Sequence, residues 1–462
     1  MSSVKFVILY TDVVMWVLLA LLALAVRHAR VTPSLRSKWA RVAANPTAVA
    51  CAAILAAFLA VALADSVHFR GQVGVAQDGS AVYATATSSL LDAAVGRHVA
   101  PRERSYSVPF AIRDFDKTPS IGALKSVREH QRLKGVAQGL TDEEAARRRL
   151  QDIALGILCG LAASALGCGA LAWLLRREGR SGWRRLFARG NPARPAVLVL
   201  LVILAIAGFL AVVWPRWHVF GTDSTGNDVL YSALKSVRTA VVIGSLATLS
   251  TLPFAVTLGI AAGYFKGWID DIVQYVYTTI SSIPSVLLIA ASVLMIQVFI
   301  DKNPLAFETG LERADVRLFC LAVIIGVTGW AGLARLLRAE TMKVSAMDFV
   351  TAARAFGVPA PAIMLRHILP NVVHIVLIVA VLDFSGIVLY EAVLSYVGVG
   401  VDPVTESFGT MINAAASEMS RTPAVWWNLA ASFLFMFTLV LSANLFASGV
   451  RDAFDPRGGT RR

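Results

Sequence analysis

The sequence predicts an all-α, polytopic helical membrane protein, and three observations carry that prediction. The chain of 462 residues is 56% hydrophobic and only 16% charged, with a mean hydropathy of +0.65, outside the range of soluble domains of this length. Nine apolar runs approach or reach the roughly 20 helical residues that a bilayer core requires. They lie near 6–26, 48–64, 153–175, 196–214, 240–264, 272–299, 317–333, 372–399 and 425–449. The third observation is where the charge sits.

A net charge of +13 would suit a nucleic-acid binder if it formed one patch, but here it is divided among loops. Arg27, Arg30, Arg36, Lys38 and Arg41 fill one loop, and seven arginines between Arg176 and Arg194 fill another. Arg335, Arg338, Lys343, Arg354 and Arg366 lie in or beside the region 345–370, and Arg457, Arg461 and Arg462 close the chain. With nine spans all four clusters fall on one side, as the positive-inside rule requires. The charge therefore reads as topogenic, facing membrane lipid and no nucleic acid. It puts the N-terminus outside and the C-terminus in the cytoplasm. Cys51, Cys159, Cys168 and Cys320 all lie within predicted spans, so no disulfide framework is expected.

Taken in order, residues 1–64 hold two spans and 65–150 form one long polar insertion, which this topology places outside. Asp78-Gly79 between short β-prone stretches predicts a hairpin. Ser89 with Asp92, and Thr141 with Glu144, have capping-box spacing. Pro119 is expected to open a further helix bearing Ile121, Leu124 and Val127. The insertion thus reads as a small α+β domain. A third span and a basic loop occupy 151–195, and 196–462 holds the last six spans. Asn45-Pro46 and Asn191-Pro192 each follow a basic, Trp-containing stretch and precede a span; duplication and the general likeness of basic loops both account for that echo.

The most informative stretch is 345–370, a Gly-punctuated amphipathic hairpin between two apolar runs. Ser345 and Asp348 have N-cap and N3 spacing. Phe349, Ala352, Ala353 and Phe356 fall at i, i+3, i+4 and i+7, on one expected face. Gly357 suits a left-handed cap. Pro359 and Pro361 suit the first turn of a second helix, which Pro370 is expected to end. Thr351-Ala352-Ala353, Gly357 and His367-Ile368-Leu369-Pro370 resemble the coupling loop of ABC importer permeases of the dipeptide/oligopeptide/nickel group, with Thr351 where that family has Glu.

The resemblance extends through the last six spans. Gly221-Thr-Asp223 with Gly226 and Asp228, Gly263-Tyr-Phe265 with Gly267 and Asp270, Glu391-Ala392 with Gly398, and Arg451 to Pro456 match its elements in order; Asn227 replaces an Arg. It implies a six-helix importer core preceded by three extra helices and the external insertion. It also implies a second permease subunit, two ABC ATPase subunits, an extracytoplasmic binding protein, and a peptide-like substrate crossing a bacterial inner membrane. The ATPase-coupling residues would be Ala352, Ala353, Phe356, Gly357, His367, Ile368, Leu369 and Pro370.

No Walker phosphate loop, nucleophile elbow, His-Glu-x-x-His or Cys-x-x-Cys occurs, so the chain is expected to bind no cofactor or metal and to leave ATP hydrolysis to a partner. Asp383 and Glu391 are ionisable groups inside the eighth span. Their burial in lipid costs at least ~2.5–3.5 kcal/mol on insertion scales. They are candidates for the translocation path or for helix–helix hydrogen bonding, and as a relay they raise proton-coupled transport as the alternative.

Overall fold

In hydrocarbon a backbone N–H or C=O has no partner but the chain itself, so apolar runs of this length must become helices. The computed structural model describes residues 4–75, 81–84, 86–99, 103–119, 128–134, 141–176, 191–304, 307 and 309–454. Among these, nine helices are long and apolar enough to cross a membrane. We number the α-helices among the described residues α1–α16. Those preceding the last six spans are α1 (Tyr10–Val31), α2 (Pro33–Ala43), α3 (Pro46–Asp65), α4 (Leu90–Val99) and α5 (Asp142–Arg176). Next come α6 (Arg194–Val213), α7 (Val229–Phe265), α8 (Gly267–Ser282), α9 (Ser285–Lys302), α10 (Gly310–Gly329) and α11 (Ala331–Val344). The last are α12 (Asp348–Ala355), α13 (Ala360–Ile363), α14 (Leu369–Tyr396), α15 (Phe408–Glu418) and α16 (Trp427–Phe454).

Two spans depart from expectation: the run 317–333 passes from α10 into α11 at Trp330, whose backbone stays near-helical (φ −66°, ψ −20°), and the other is broken more sharply. The run 272–299 is not a single helix; it is divided into α8 and α9 at Ile283-Pro284. Proline drives the preceding residue out of the helical region and offers no N–H, and Ile283 is extended (φ −87°, ψ 130°). By contrast α7 passes through Pro253.

Two compact units divide the chain. The first gathers Met1–Val7, Trp39–Thr239 and Glu406–Gly449; the second gathers Ile8–Lys38, Ala240–Thr405 and Val450–Arg462. In the first, α3 opens on the Asn45 cap, whose side chain accepts from the amides of Thr47 and Ala48. Helices α5 and α6 pack backbone to backbone. A Cβ on Gly160 would lie 2.5 Å from the Ala205 carbonyl, and one on Gly208 would lie 3.0 Å from the Cys159 carbonyl.

The insertion has its own sheet. Strand β1 (Val4–Val7) runs antiparallel to β2 (His68–Val75), pairing Val4 with Gly71 and Val7 with His68. β2 also pairs with β3 (Ala81–Tyr83) and with β4 (Ser88–Ser89). The β2–β3 pairing is the expected hairpin, although its Asp78-Gly79 turn falls outside the described residues. Both capping boxes are present: Ser89 and Asp92 exchange bonds of 2.8 and 3.1 Å, and Thr141 and Glu144 of 2.7 and 3.3 Å. Pro119 does not open a helix. It ends strand β5 (Thr118–Pro119), paired with β6 (Arg128–Glu129), and the helix expected beyond it lies outside the described residues.

Segment 103–116 of the insertion lies along the loop 218–228. The Glu103 amide donates to the Gly226 carbonyl (3.1 Å), the Thr222 amide to Ser107 (3.1 Å) and the Phe110 amide to His218 (2.9 Å). Tyr106 joins Val229, Met411 and Trp427 in one apolar cluster, and Leu133 joins Val213 and Trp217 in another. Between the two segments His218 sits 2.7 Å from Asp228 and 3.7 Å from Glu103. Burial alone would lower its pKa, but hydrogen bonds and charge from both carboxylates outweigh that and push it up to about 9.

The second unit has its core where α7, α8, α11 and the hairpin meet, around Tyr264, Tyr277, Leu337, Val350, Ile363 and Ile368. Helix α1 is pinned to α10 through Thr11, whose amide (3.2 Å) and hydroxyl both donate to the buried Asp315 carboxylate.

Gly160→Val should destabilise the protein by about 1–3 kcal/mol, the usual cost of overpacking. Gly169→Val, with nothing near its Cβ, should not. Detergent-induced unfolding of the purified protein compares the two. His218 also makes stability pH-dependent. Its folded pKa lies above the unfolded 6.5, so its contribution is complete below that value and lost as pH rises from 6.5 toward about 9. Thermal unfolding midpoints should fall across that window, and His218→Gln should flatten the slope.

Candidate functional site

The hairpin begins where α11 stops. Ser345 is not the N-cap expected from its spacing with Asp348. It remains helical (φ −65°, ψ −17°), and its hydroxyl donates 3.0 Å back to the Met342 carbonyl, closing the preceding helix. Met347 is the extended residue before α12, which puts Asp348 in the first turn, where a carboxylate suits the helix dipole.

Gly357 ends α12 as the sequence requires, with φ +76°. The Gly357 amide donates to Arg354 O (3.0 Å) and the Val358 amide to Ala353 O (3.1 Å), the paired bonds of a Schellman cap. Pro359 then leads into α13. Pro370 does not end this second helix. One wide π turn, Met364–Ile368, joins α13 to α14, and the Leu369 amide reaches five residues back to Met364 O. The wider turn accommodates a ring that would clash with an ordinary α-helical carbonyl. Asn371 Nδ2 adds a 2.6 Å bond to the His367 carbonyl.

The four residues expected on one face are divided between two. Ala353 turns inward with Val350, Ile363 and Ile368 and is buried against α11 and α14. Phe349, Ala352 and Phe356 turn outward, Phe356 to 87% exposure, and Leu365 of the following turn is exposed as well. Positions i, i+3 and i+7 hold that outer stripe, and the i+4 position lies over its edge. The His367 ring stands 6.4 Å from that of Phe349; Leu369 is half-buried and Pro370 exposed.

Residues remote in sequence hold the hairpin's base. Gly259 and Gly263 let α7 press on α11: a Cβ on Gly263 would lie 2.6 Å from Arg338 O, and one on Gly259 2.8 Å from Ala334 O. Asp270 accepts from Arg338 Nε at 2.5 Å and Nη2 at 2.6 Å. Hydrogen bonding from Arg338 holds this carboxylate below its ordinary pKa despite its desolvation. The Arg335 guanidinium lies 5.2 Å over Tyr277, and Arg354 lies 5.0 Å over Tyr264. Sequence reasoning noted Gly263, Tyr264 and Asp270 as motif residues but missed their partners. The surplus of Arg in 335–354 was the available signal.

The two acids of α14 differ. Glu391 is 1% exposed and accepts a 2.7 Å bond from Ser395 Oγ. Asp383, two turns earlier, is half-buried and makes no hydrogen bond among the described residues. Ser281, Ser282 and Ser285 are exposed at the α8–α9 break. Ser282 Oγ donates to Thr279 O (2.7 Å), and Ser285 Oγ accepts from Tyr390 OH (2.9 Å).

Comparison with known proteins bears on this constellation. Residues 255–458 match the family described as binding-protein-dependent transport system inner membrane component, a stretch that contains the hairpin, the α7–α8 turn and both acids. The chain is 27% identical over 304 residues to the oligopeptide transport system permease protein OppC of Haemophilus influenzae, covering 61% of this chain and 91% of that one. It is 31% identical over 245 residues to OppC of Mycobacterium bovis, covering 53% and 78%. The glutathione transport system permease protein GsiD of Pectobacterium atrosepticum is 28% identical over 302 residues, covering 61% and 92%.

Proposed function

The chain belongs to the family of binding-protein-dependent transport system inner membrane components, and from that premise we propose that it passes peptides or peptide-like solutes through the membrane. It is the permease subunit of an ABC importer, a multi-pass inner-membrane protein. The observation that carries the mechanism is the capped hairpin 345–370, buried on one face and apolar but exposed on the other. A hydrophobic stripe of Phe349, Ala352 and Phe356, with Leu365 also exposed on the hairpin, beside a membrane helix bundle asks for a protein partner. The absence of any phosphate-binding loop in the sequence makes an ATPase subunit the fitting one.

In this reading two ATPase subunits seat the hairpins of this chain and of a second, different permease subunit. Their ATP-driven closure moves the hairpins as rigid bodies and switches access to the pathway from one face to the other. Ala352, Phe356 and Gly357 belong to the docking side, and Ala353 and Ile368 fix the hairpin to its helices. His367, Leu369 and Pro370 shape the turn between. Thr351 leaves the contact without the family's Glu, so apolar burial dominates it.

The basic loops orient the chain with the hairpin and C-terminus in the cytoplasm and the N-terminus outside. Insertion 65–150 then stands externally, at the face where a binding protein delivers solute. Proton coupling through Asp383 and Glu391 has less support. The relatives are named as permease proteins of transport systems, and Glu391 is engaged with Ser395. Asp383 is the better candidate for the path.

Uptake into vesicles holding the whole complex should require ATP and persist when the proton gradient is collapsed at constant ATP. Uptake driven by a pH gradient alone would replace this reading with the secondary carrier. Gly357→Val should leave the protein in the membrane but reduce uptake strongly. Its Cβ meets no neighbour, so the whole effect comes from a β-branched residue at φ +76°. Normal uptake at normal expression would count against the hairpin's role.

A further inference from the structure

Two side-chain links converge on α8, in addition to the apolar core that it shares with the hairpin. Asp270, in the first turn of α8 and 6% exposed, takes both arms of the Arg338 guanidinium. A fork of this kind fixes orientation as well as distance. Two turns further along α8, Tyr277 lies under Arg335, three residues before Arg338 on α11. α8 is therefore tied to α11 at two points, met in opposite order along the two helices. α11 in turn runs directly into the hairpin through Ser345 and Met347.

Both ends of α8 are mechanically defined. At its start Lys266 (φ +57°, ψ −170°) occupies backbone space that suits only glycine, and Gly267 follows at φ +57°. Such a conformation persists only where its surroundings over-determine it, and here Tyr264, just before the turn, is held under Arg354 of the hairpin itself. At its other end Ile283-Pro284 interrupts the helix, so α8 can tilt without carrying α9 as a continuous rod. The residues at that interruption, Ser281, Ser282 and Ser285, form a polar, exposed step.

We propose that α8 is a lever that hands hairpin movement on to the serine step at 281–285, and that Asp270 and Arg338 are the positioning residues that make it follow α11. This rests on the hairpin being the ATPase contact. Without the fork the hairpin would still seat the ATPase and hydrolysis would continue, but α8 would lag behind and solute would not be released in step. The pair acts through geometry; neither residue needs to touch the solute.

The test uses the complete complex in proteoliposomes with its ATPases and loaded binding protein, reading uptake, ATP hydrolysis and recovery of ATPase subunits with the permease. Asp270→Asn should assemble and hydrolyse ATP, while uptake per ATP falls roughly tenfold, within the 5–150-fold range of typical intersite coupling. The reversed pair, Asp270→Arg with Arg338→Asp, should recover most of the ratio. A merely structural pair would change the amount of complex and leave the ratio alone. An unchanged ratio in Asp270→Asn, or no recovery in the reversed pair, overturns the lever. If Asp270→Asn does not accumulate in the membrane, Arg338→Lys, which keeps the charge and loses the fork, is judged by the same ratio. Absence of ATP-driven uptake in the parent complex overturns the hairpin reading beneath it.

Discussion

A bilayer offers no hydrogen-bond partner to a peptide group, and that constraint governs each irregularity in this chain. Within and between these helices hydroxyl side chains bond back to backbone carbonyls, and altered turns re-pair the backbone next to prolines. Thr257 Oγ1 donates 2.5 Å back to the Pro253 carbonyl inside α7, and Thr251 Oγ1 bonds both Ala247 O and Gly326 O. At the α8–α9 break Ser282 caps Thr279. Before Pro370 a π turn and Asn371 do the same. An unpaired buried group would cost about 1–3 kcal/mol by mutational measures, so hydroxyls in these helices bond back to the nearest carbonyl. A serine or threonine in such a helix is therefore weak evidence for solute contact.

Apolar burial and polar pairing divide the work at the hairpin. Val350, Ile363, Ile368 and Leu337 are all essentially buried, and each such side chain contributes about 1.5–3 kcal/mol. A cation–π contact such as Arg354 with Tyr264 adds only about 0.5–1 kcal/mol near a surface. Burial thus decides that the hairpin stays on its helices. The directional contacts, the Asp270–Arg338 fork above all, tie α8 to α11 beside it. The backbone contacts at Gly259 and Gly263 leave α7 no slack against α11, so a shift of one helix is felt directly by the other.

Local chemistry explains what was legible in the sequence. Apolar runs gave seven of the nine spans as single helices, because burial from water depends on composition and length. Gly357 announced its left-handed turn, and both capping boxes formed, because those bonds join residues at most a few positions apart. The misjudged features needed information from elsewhere. Ser345 has cap chemistry, but α11 arrives still helical and claims it. Ala353 shares the heptad positions of Phe349 and Phe356, yet only the placement of α11 and α14 decides which edge of the stripe turns inward. Asp270 and Arg338 are 68 residues apart, and no periodicity links them. Pro284 and Pro370 carry the same local signal and act differently: one interrupts a helix, and the other is absorbed by a π turn whose neighbouring Ile368 is buried.

The insertion shows how a domain with a thin core can be ordered by its host. A segment of this size buries too little apolar surface for comfortable independent stability, and its large buried groups face outward to the loop 218–228 and the start of α16. Phe115 meets Trp427 edge-on at 5.5 Å, and the Trp427 indole donates 2.9 Å to Thr222 O. Arg421 lies 4.7 Å over Tyr106. The loop in turn is built to receive the segment: Gly221 and Gly226 hold left-handed φ of +69° and +78°, and a Cβ on either would strike the carbonyls of Ser107 and Glu103. Those glycines serve two requirements at once, the turn and the close approach of a second backbone. The stability of insertion and loop is then shared, because removing the strap would bare Trp217, Val425 and Trp427 together. A brace of this kind does not preclude docking. It gives any partner of the insertion a surface that is fixed to the loop and to α15 instead of hanging from two helix ends.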